Sequence, residues 1–329
     1  MTGDVIQGVL GNCWFVSAMT LISTKESLLR RLFVSSKHSD IGLYTLKFYK
    51  HGKWKYVHVD DRIPLNTQKK PKYAHCKSPS ETWVMLLEKA YAKLHGSYEN
   101  LQSGWIDYGL RDLTGGAPMK MKFKDRRYAN MLLRNDGIEM FELLRSSQVS
   151  GALLGCSFNT NESDDVERDS GLGILRGHAY GILQIVERSV KSEEDEDEET
   201  TTLRLLQLRN PWGMKEWKGD FSDGDSIWDD YPEVKTELVG KDGFSNDGVF
   251  WMSWIDFICE FNQVFVCESR DHKTWHGTRF EGKWDKKIPQ SYPGGCPRYK
   301  ATFPSNPQHA FEIDELTSIE IVLFQRDVR

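Results

Sequence analysis

At 329 residues, with 39% hydrophobic and 28% charged residues, the chain suits one large domain or two and can bury a sizeable core. Its net charge of −5 rests on one run, Glu193 to Glu199, and the remainder is close to neutral, so neither nucleic acid nor a membrane surface is indicated as partner. No apolar run approaches the ~20 residues of a membrane span, so no transmembrane segment is expected. Met1-Thr2-Gly3-Asp4 does not read as a signal peptide. It also lies close to the first motif, which suggests a chain cut from something longer. Cys13, Cys76, Cys156, Cys259, Cys267 and Cys296 are scattered, without metal-binding spacing, and read as free thiols in a reducing compartment.

In chain order, the stretch from Gln7 to Met19 comes first. Gly8 and Gly11 form a tight approach, and Cys13 opens a run that is apolar on nearly every face: Trp14, Phe15, Val16, Ala18, Met19, Leu21 and Ile22. This predicts a helix buried on most sides with Cys13 at its first turn, where unpaired N–H groups and the helix dipole favour negative charge. The Gln7 side-chain amide and the Cys13 backbone N–H are placed to serve as paired donors to a developing oxyanion. Leu43 to Tyr49 and Lys53 to Val59 alternate around Lys50-His51-Gly52 and predict a hairpin. Ser78-Pro79-Ser80-Glu81 has the form of a capping box with proline at the first helical position. Trp83, Leu86, Leu87, Ala90, Tyr91 and Leu94 then share one face up to a stop at Gly96. Thr114-Gly115-Gly116-Ala117-Pro118 marks a boundary between two halves.

The second half reads as antiparallel β. Strands are predicted over 152–158, 178–187, 203–210, 249–252 and 264–268, with a short helix over 254–261. If the second and third strands pair as a hairpin around the acidic run, His178 lies beside Asn210. Asn210 then accepts the imidazole Nδ1–H, and Nε2 faces a nucleophile.

Three blocks together resemble the active-site motifs of the calpains, cytosolic calcium-dependent cysteine proteases. They are Gln7-Gly8 with Gly11-Asn12-Cys13-Trp14, Gly177-His178-Ala179-Tyr180, and Leu208-Arg209-Asn210-Pro211-Trp212-Gly213. Leu87-Glu88-Lys89-Ala90-Tyr91-Ala92-Lys93, Thr114-Gly115-Gly116 and Phe250-Trp251-Met252-Ser253 match as well. The resemblance implies an α+β, papain-like two-lobed core: a helical lobe over 1–116 carrying Cys13 and a β-rich lobe over 117–268 carrying His178 and Asn210. It implies an endopeptidase acting on protein substrates, in the cytoplasm, under a regulatory partner or inhibitor. Trp212 is the wedge residue near the cleft, and Gly104 and Gly177 meet the substrate backbone. A transglutaminase-like acyl transferase and a non-catalytic scaffold are the rival readings.

The resemblance also implies one calcium ion per lobe. Asp4 and Glu81 match side-chain ligands on the first lobe, and Glu216, Asp223 and Asp247 on the second. Two positions depart from the family pattern. Val249 stands where the family has a further carboxylate, and Thr2 where it has the arginine that pairs with it, so binding is expected mainly through Glu216 and Asp223. Residues 269–329, with Gly282-Lys283-Trp284 and Pro293-Gly294-Gly295-Cys296, resemble the opening strands of a C2-like β-sandwich. The acidic run reads as a solvated loop tip, and Asn161-Glu162-Ser163 as an idle glycosylation acceptor. Cys76 and Cys156 read as structural thiols.

Overall fold

The computed structural model describes residues 5–159, 168–191, 200–241, 243–268, 276–285, 287 and 293–323. The acidic run, Asn161, Asp4 and Thr2 lie outside these residues. The fold is α+β, as expected. Near the start, β1 (Val5–Ile6) pairs with β5 (His75–Cys76), and α1 (Cys13–Ser23) follows. Every residue of α1 after Cys13 is buried, which is why its sequence is apolar on nearly every face. The next elements are α2 (Glu26–Leu32), β2 (Phe33–His38), β3 (Leu43–Lys50) and β4 (Lys53–Asp60), the three strands forming a meander. Its β3–β4 turn has φ of 54° at His51 and 74° at Gly52, the left-handed pair that a two-residue hairpin requires. Helices α3 (Trp83–His95) and α4 (Ile106–Thr114) complete this half.

The predicted capping box is not formed. Ser78 and Ser80 hydroxyls pair with each other at 2.9 Å, and Glu81 Oε2 accepts from Trp83 Nε1 at 3.2 Å. Pro79 sits in a turn closed by Glu81 N–H to Ser78 C=O, and the helix starts only at Trp83, with Thr82 as its N-cap. The side chains that would close the box have other partners.

The largest sheet is antiparallel and six-stranded. Its members are β6 (Ala117–Lys122), β7 (Leu153–Ser157), β10 (Ala179–Lys191), β11 (Thr200–Arg209), β12 (Val249–Ser253) and β13 (Gln263–Glu268), in the order β12-β11-β10-β7-β13-β6. A small ribbon joins β8 (Arg168–Asp169) to β9 (Leu175–Arg176). Helices α5 (Arg126–Leu132), α6 (Ile138–Val149), α7 (Pro232–Leu238) and α8 (Trp254–Glu260) accompany it. Only α8 was expected. Of the apolar residues of α6 only Met140, Phe141 and Leu144 are buried, while Val149 is exposed, so its apolar positions do not keep to one clean stripe.

One apolar cluster gathers α1, α3 and α4 with the meander and extends to Leu153, Ala179, Phe265 and Cys267. Within it Phe15 stacks on Tyr91 with ring centroids 3.9 Å apart. A second cluster fills the opposite side of the six-stranded sheet, from Met121 to Val266. Sheet glycines let the helices approach: a Cβ on Gly155 would lie 2.3 Å from Ile106 Cδ1.

Residues 270–326 form a second unit. Its described residues contain one 3-10 turn, Phe303–Ser305, and no strand, so the expected sandwich strands are not formed there. Strands need neighbours for their N–H and C=O groups and a layer to bury their apolar face, yet Phe280, Trp284, Phe311 and Ile321 remain exposed. Local order comes from Asn306, whose amide oxygen accepts from Trp284 Nε1 and Gly294 N and whose nitrogen donates to Gly295 C=O.

Candidate active site

Cys13 is half-buried at the start of α1. One turn later, Ser17 Oγ donates to Ala179 C=O across 2.8 Å in a buried position. Ala179 is the first residue of β10 and the neighbour of His178, so the Cys13 end of α1 is set along the start of that strand. Two further bonds tie the approach to Cys13 to the segment around Asn210. Arg209 Nη2 donates to Val5 C=O at 2.8 Å, and Gln7 N–H donates to Pro211 C=O at 2.9 Å.

The β10–β11 pairing places Gly181 opposite Arg209, which leaves His178 and Asn210 at the same end of the hairpin. Their side chains meet at 3.0 Å, His178 Nε2 to Asn210 Oδ1, with His178 1% and Asn210 0% exposed. The amide orientation of Asn210 follows from its other partners. Its Oδ1 also accepts Trp212 N–H at 3.0 Å, and its Nδ2 donates to Lys215 C=O at 2.9 Å. An acceptor facing the ring means that Nε2 carries the proton, and Nδ1 is the basic nitrogen of the neutral imidazole. This reverses the assignment expected from sequence, in which Nδ1 faced Asn210; local sequence carries no information on ring rotation. Trp212 lies edge-on to His178 at 5.2 Å and shields it.

Gln7 Nε2 donates to Leu10 C=O at 2.7 Å, which uses one of its two hydrogens and fixes the amide beside the loop that enters α1. Gly177 has a φ of +77° and donates to Phe158 C=O, so a side chain there would strain the turn into His178. At Gly104 an added Cβ would lie 2.4 Å from the Trp14 ring. Gly104→Ala is therefore expected to lower stability by about 1–3 kcal/mol by overpacking, measured by chemical denaturation.

A pair absent from the sequence reading supports the loop that enters α1. Asn12 heads α1 without capping it through its side chain. Its Nδ2 instead donates to Glu88 Oε1 at 2.7 Å, while Glu88 Oε2 accepts Ala74 N–H at 2.9 Å. Glu88 is 1% exposed, and burial pushes its carboxyl up to about 7 against the pull of these two hydrogen bonds. The polar Glu88 on the otherwise buried face of α3 was the available signal.

Of the acidic positions, Glu81 is engaged with Trp83, and Asp4 lies outside the described residues. Glu216, Asp223 and Asp247 are brought together. Glu216 Oε1 accepts the amides of Asp247 and Gly248, and Asp247 Oδ1 accepts that of Val249. Burial first, then the charges of Glu216 and Asp247, push the Asp223 carboxyl up to about 7. Three crowded carboxylates are the oxygen chemistry that a hard cation takes. Among the described residues, however, no three acidic, His or Cys side chains already form a metal cage. Val249 adds no carboxylate here. Burial drives the Cys156 thiol well up, consistent with an inert structural role.

Comparison with known proteins yields one family. A family model described as "Calpain family cysteine protease" matches residues 1–268. The chain is 30% identical to Calpain-5 of Caenorhabditis elegans, over 98% of this chain and 54% of that protein. It is 32% identical to the Calpain-2 catalytic subunit of Rattus norvegicus, over 95% of this chain and 43% of that one. It is 34% identical to Calpain-8 of Mus musculus, over 95% and 42%. The chain spans about half the length of the curated relatives it matches. No helix among the described residues is long and apolar enough to cross a membrane.

Proposed function

Since the chain belongs to the calpain family of cysteine proteases, we propose that it is an endopeptidase in which Cys13, His178 and Asn210 act as a triad. The hydrogen bond from His178 Nε2 to Asn210 Oδ1, beside the α1 end that carries Cys13, is the observation that supports this most. In this reading His178 takes the Cys13 proton on Nδ1, and the thiolate attacks the scissile carbonyl carbon. The oxyanion that forms takes hydrogen bonds from the Cys13 backbone N–H and the remaining Gln7 Nε2 hydrogen. Collapse breaks the C–N bond, His178 returns its proton to the leaving amine, and a thioester remains on Cys13. His178 then draws a proton from water, whose oxygen attacks the thioester carbonyl and releases the acid with the Cys13 thiol. Asn210 keeps Nδ1 on the reacting side throughout. Gly104 and Gly177 meet the substrate backbone. The helical lobe over 1–116 supplies Cys13 and the β-rich lobe over 117–268 supplies His178 and Asn210.

Protein substrates, a cytoplasmic setting and control by a regulatory partner or inhibitor complete the proposal. Hydrolysis is favoured over acyl transfer to an amine or a purely structural role by the family. The deciding experiment is a peptidase assay on the wild type and Cys13→Ser, with and without calcium. Activity equal in the two proteins overturns the reading.

Calcium belongs to this proposal through Glu216, Asp223 and Asp247, where it would neutralise the crowded carboxylates. Glu216→Gln with Asp223→Asn is expected to remove calcium binding to the second lobe, read by calorimetric titration. Unchanged binding heat in this double variant assigns the ion elsewhere. Val249→Glu is expected to strengthen binding by adding a fourth carboxylate.

A further inference from the structure

A basic cavity of about 140 Å³ is lined by Trp105, Lys120, Lys122, Lys124, Asn159 and Gln263, together with Asn262. The lysines arise from simple strand geometry. Lys120-Met121-Lys122-Phe123-Lys124 alternates, so Met121 and Phe123 enter the core while the lysines share the other face, on or just past edge strand β6. Two of the amides are committed to building the wall. Asn262 exchanges hydrogen bonds with the Asn159 backbone at 2.9 and 2.8 Å, and Gln263 Nε2 donates to Ser157 Oγ at 2.6 Å. The lysine ammonium groups are therefore the donors that give the cavity its chemistry.

Two lining residues neighbour, in the chain, the segments proposed to meet the substrate backbone. Trp105 follows Gly104, and Asn159 follows Phe158, whose carbonyl accepts Gly177 N–H. Lys120 Nζ lies over the Trp105 ring, 3.2 Å from its centroid, which fixes one ammonium at the cavity wall. Arg176 adds a further cation nearby, its guanidinium 4.3 Å from the Phe158 ring centre. Opposing these charges is Asp107, whose Oδ1 is buried without a hydrogen-bond partner among the described residues. The balance is still cationic.

We propose that this cavity is a specificity pocket for a carboxylate side chain, Asp or Glu, on the N-terminal side of the scissile bond. The inference rests on the protease reading and names a substrate class for it. At about 140 Å³ the cavity has room for a short acidic side chain with water beside it. Burial, set against Asp107 and reinforced by Lys122, lowers the Lys120 ammonium to about 8. A bound carboxylate would offset that penalty. A separate depression of about 590 Å³ between α5 and α6 shares no residue with this region.

Two readouts on the full chain test the proposal. Peptides identical except for Glu, Gln or Lys at each of three positions before the scissile bond are titrated by fluorescence anisotropy against Cys13→Ser. The same peptides are assayed for cleavage by the wild type. At one position Glu is expected to bind about 5- to 10-fold tighter than Gln, the range for a charge-assisted contact. The preference should vanish in Lys120→Gln/Lys122→Gln and turn towards Lys in Lys122→Glu, a surface change that leaves the core untouched. Equal binding of Glu and Gln at every position, or a Glu preference that survives both variants, overturns the pocket. Lysine-dependent Glu binding without cleavage overturns the protease reading and leaves the pocket standing. Cleavage without any acidic preference does the reverse.

Discussion

Cys13→Ser is expected to lower kcat/KM for peptide cleavage by about 10⁴-fold or more, and His178→Ala by a similar factor, because nucleophile and base act as one unit. The two variants differ in what else they disturb. Cys13 is half-buried and serine is nearly isosteric, so its melting temperature should stay within a degree or two of wild type. His178 is 1% exposed, with Trp212 and Tyr180 packed edge-on at 5.2 and 5.3 Å, so His178→Ala also opens a cavity and should melt earlier. Asn210→Ala should cost less activity than either but more stability than Cys13→Ser. It strips hydrogen-bond partners from the His178 ring, the Trp212 N–H and the Lys215 C=O. Each buried group left without a partner costs about 1–3 kcal/mol. Activity assays alongside thermal melts separate these contributions. Wild-type rates in Cys13→Ser would remove the nucleophile from the mechanism.

Glu88 gives the second large effect, on stability and its pH dependence. Its carboxyl is raised from 4.5 to about 7 in the folded protein, with burial the main cause. A folded value above the unfolded one means that the neutral form is favoured by folding. The stabilisation is present in full below about pH 4.5 and is lost as pH rises through about 7. The shift corresponds to about 3 kcal/mol across that window. Glu88→Gln removes the titration and retains a polar side chain for Ala74 and Asn12. The difference in unfolding free energy between wild type and Glu88→Gln should therefore move in favour of the variant between pH 4.5 and 7.5. Taking the difference removes contributions from other raised carboxyls such as Asp223. Below about pH 4.5 Glu88→Ala should be destabilised by about 2–5 kcal/mol, since Ala74 N–H and the Asn12 amide both lose a partner, and the deficit should shrink as pH rises through about 7 because this variant too lacks the titration. Parallel pH profiles for wild type and Glu88→Gln would show that Glu88 does not titrate in this range.

How much was legible beforehand follows from the range of each interaction. Helix α1, the β3–β4 hairpin and the principal strands of the second half were readable, because apolar periodicity and turn residues act within a few positions of one another. The antiparallel order of β10 and β11 also placed His178 and Asn210 at one end of a hairpin before any coordinates, since register carries over from the turn. Sequence by itself thus determined the α+β class, the family motifs and the residues with the right chemistry. Tertiary structure alone decided which groups hold those residues in place. Ser17 meets Ala179 across 162 positions and Asn12 meets Glu88 across 76, and no local pattern announces either bond. The same holds for the nitrogen that His178 turns to Asn210, for the late start of α3 and for the lack of strands among the described residues of 276–323. In each case the outcome depended on where a buried polar group, or a strand edge, could find a partner, and such partners come from distant parts of the chain.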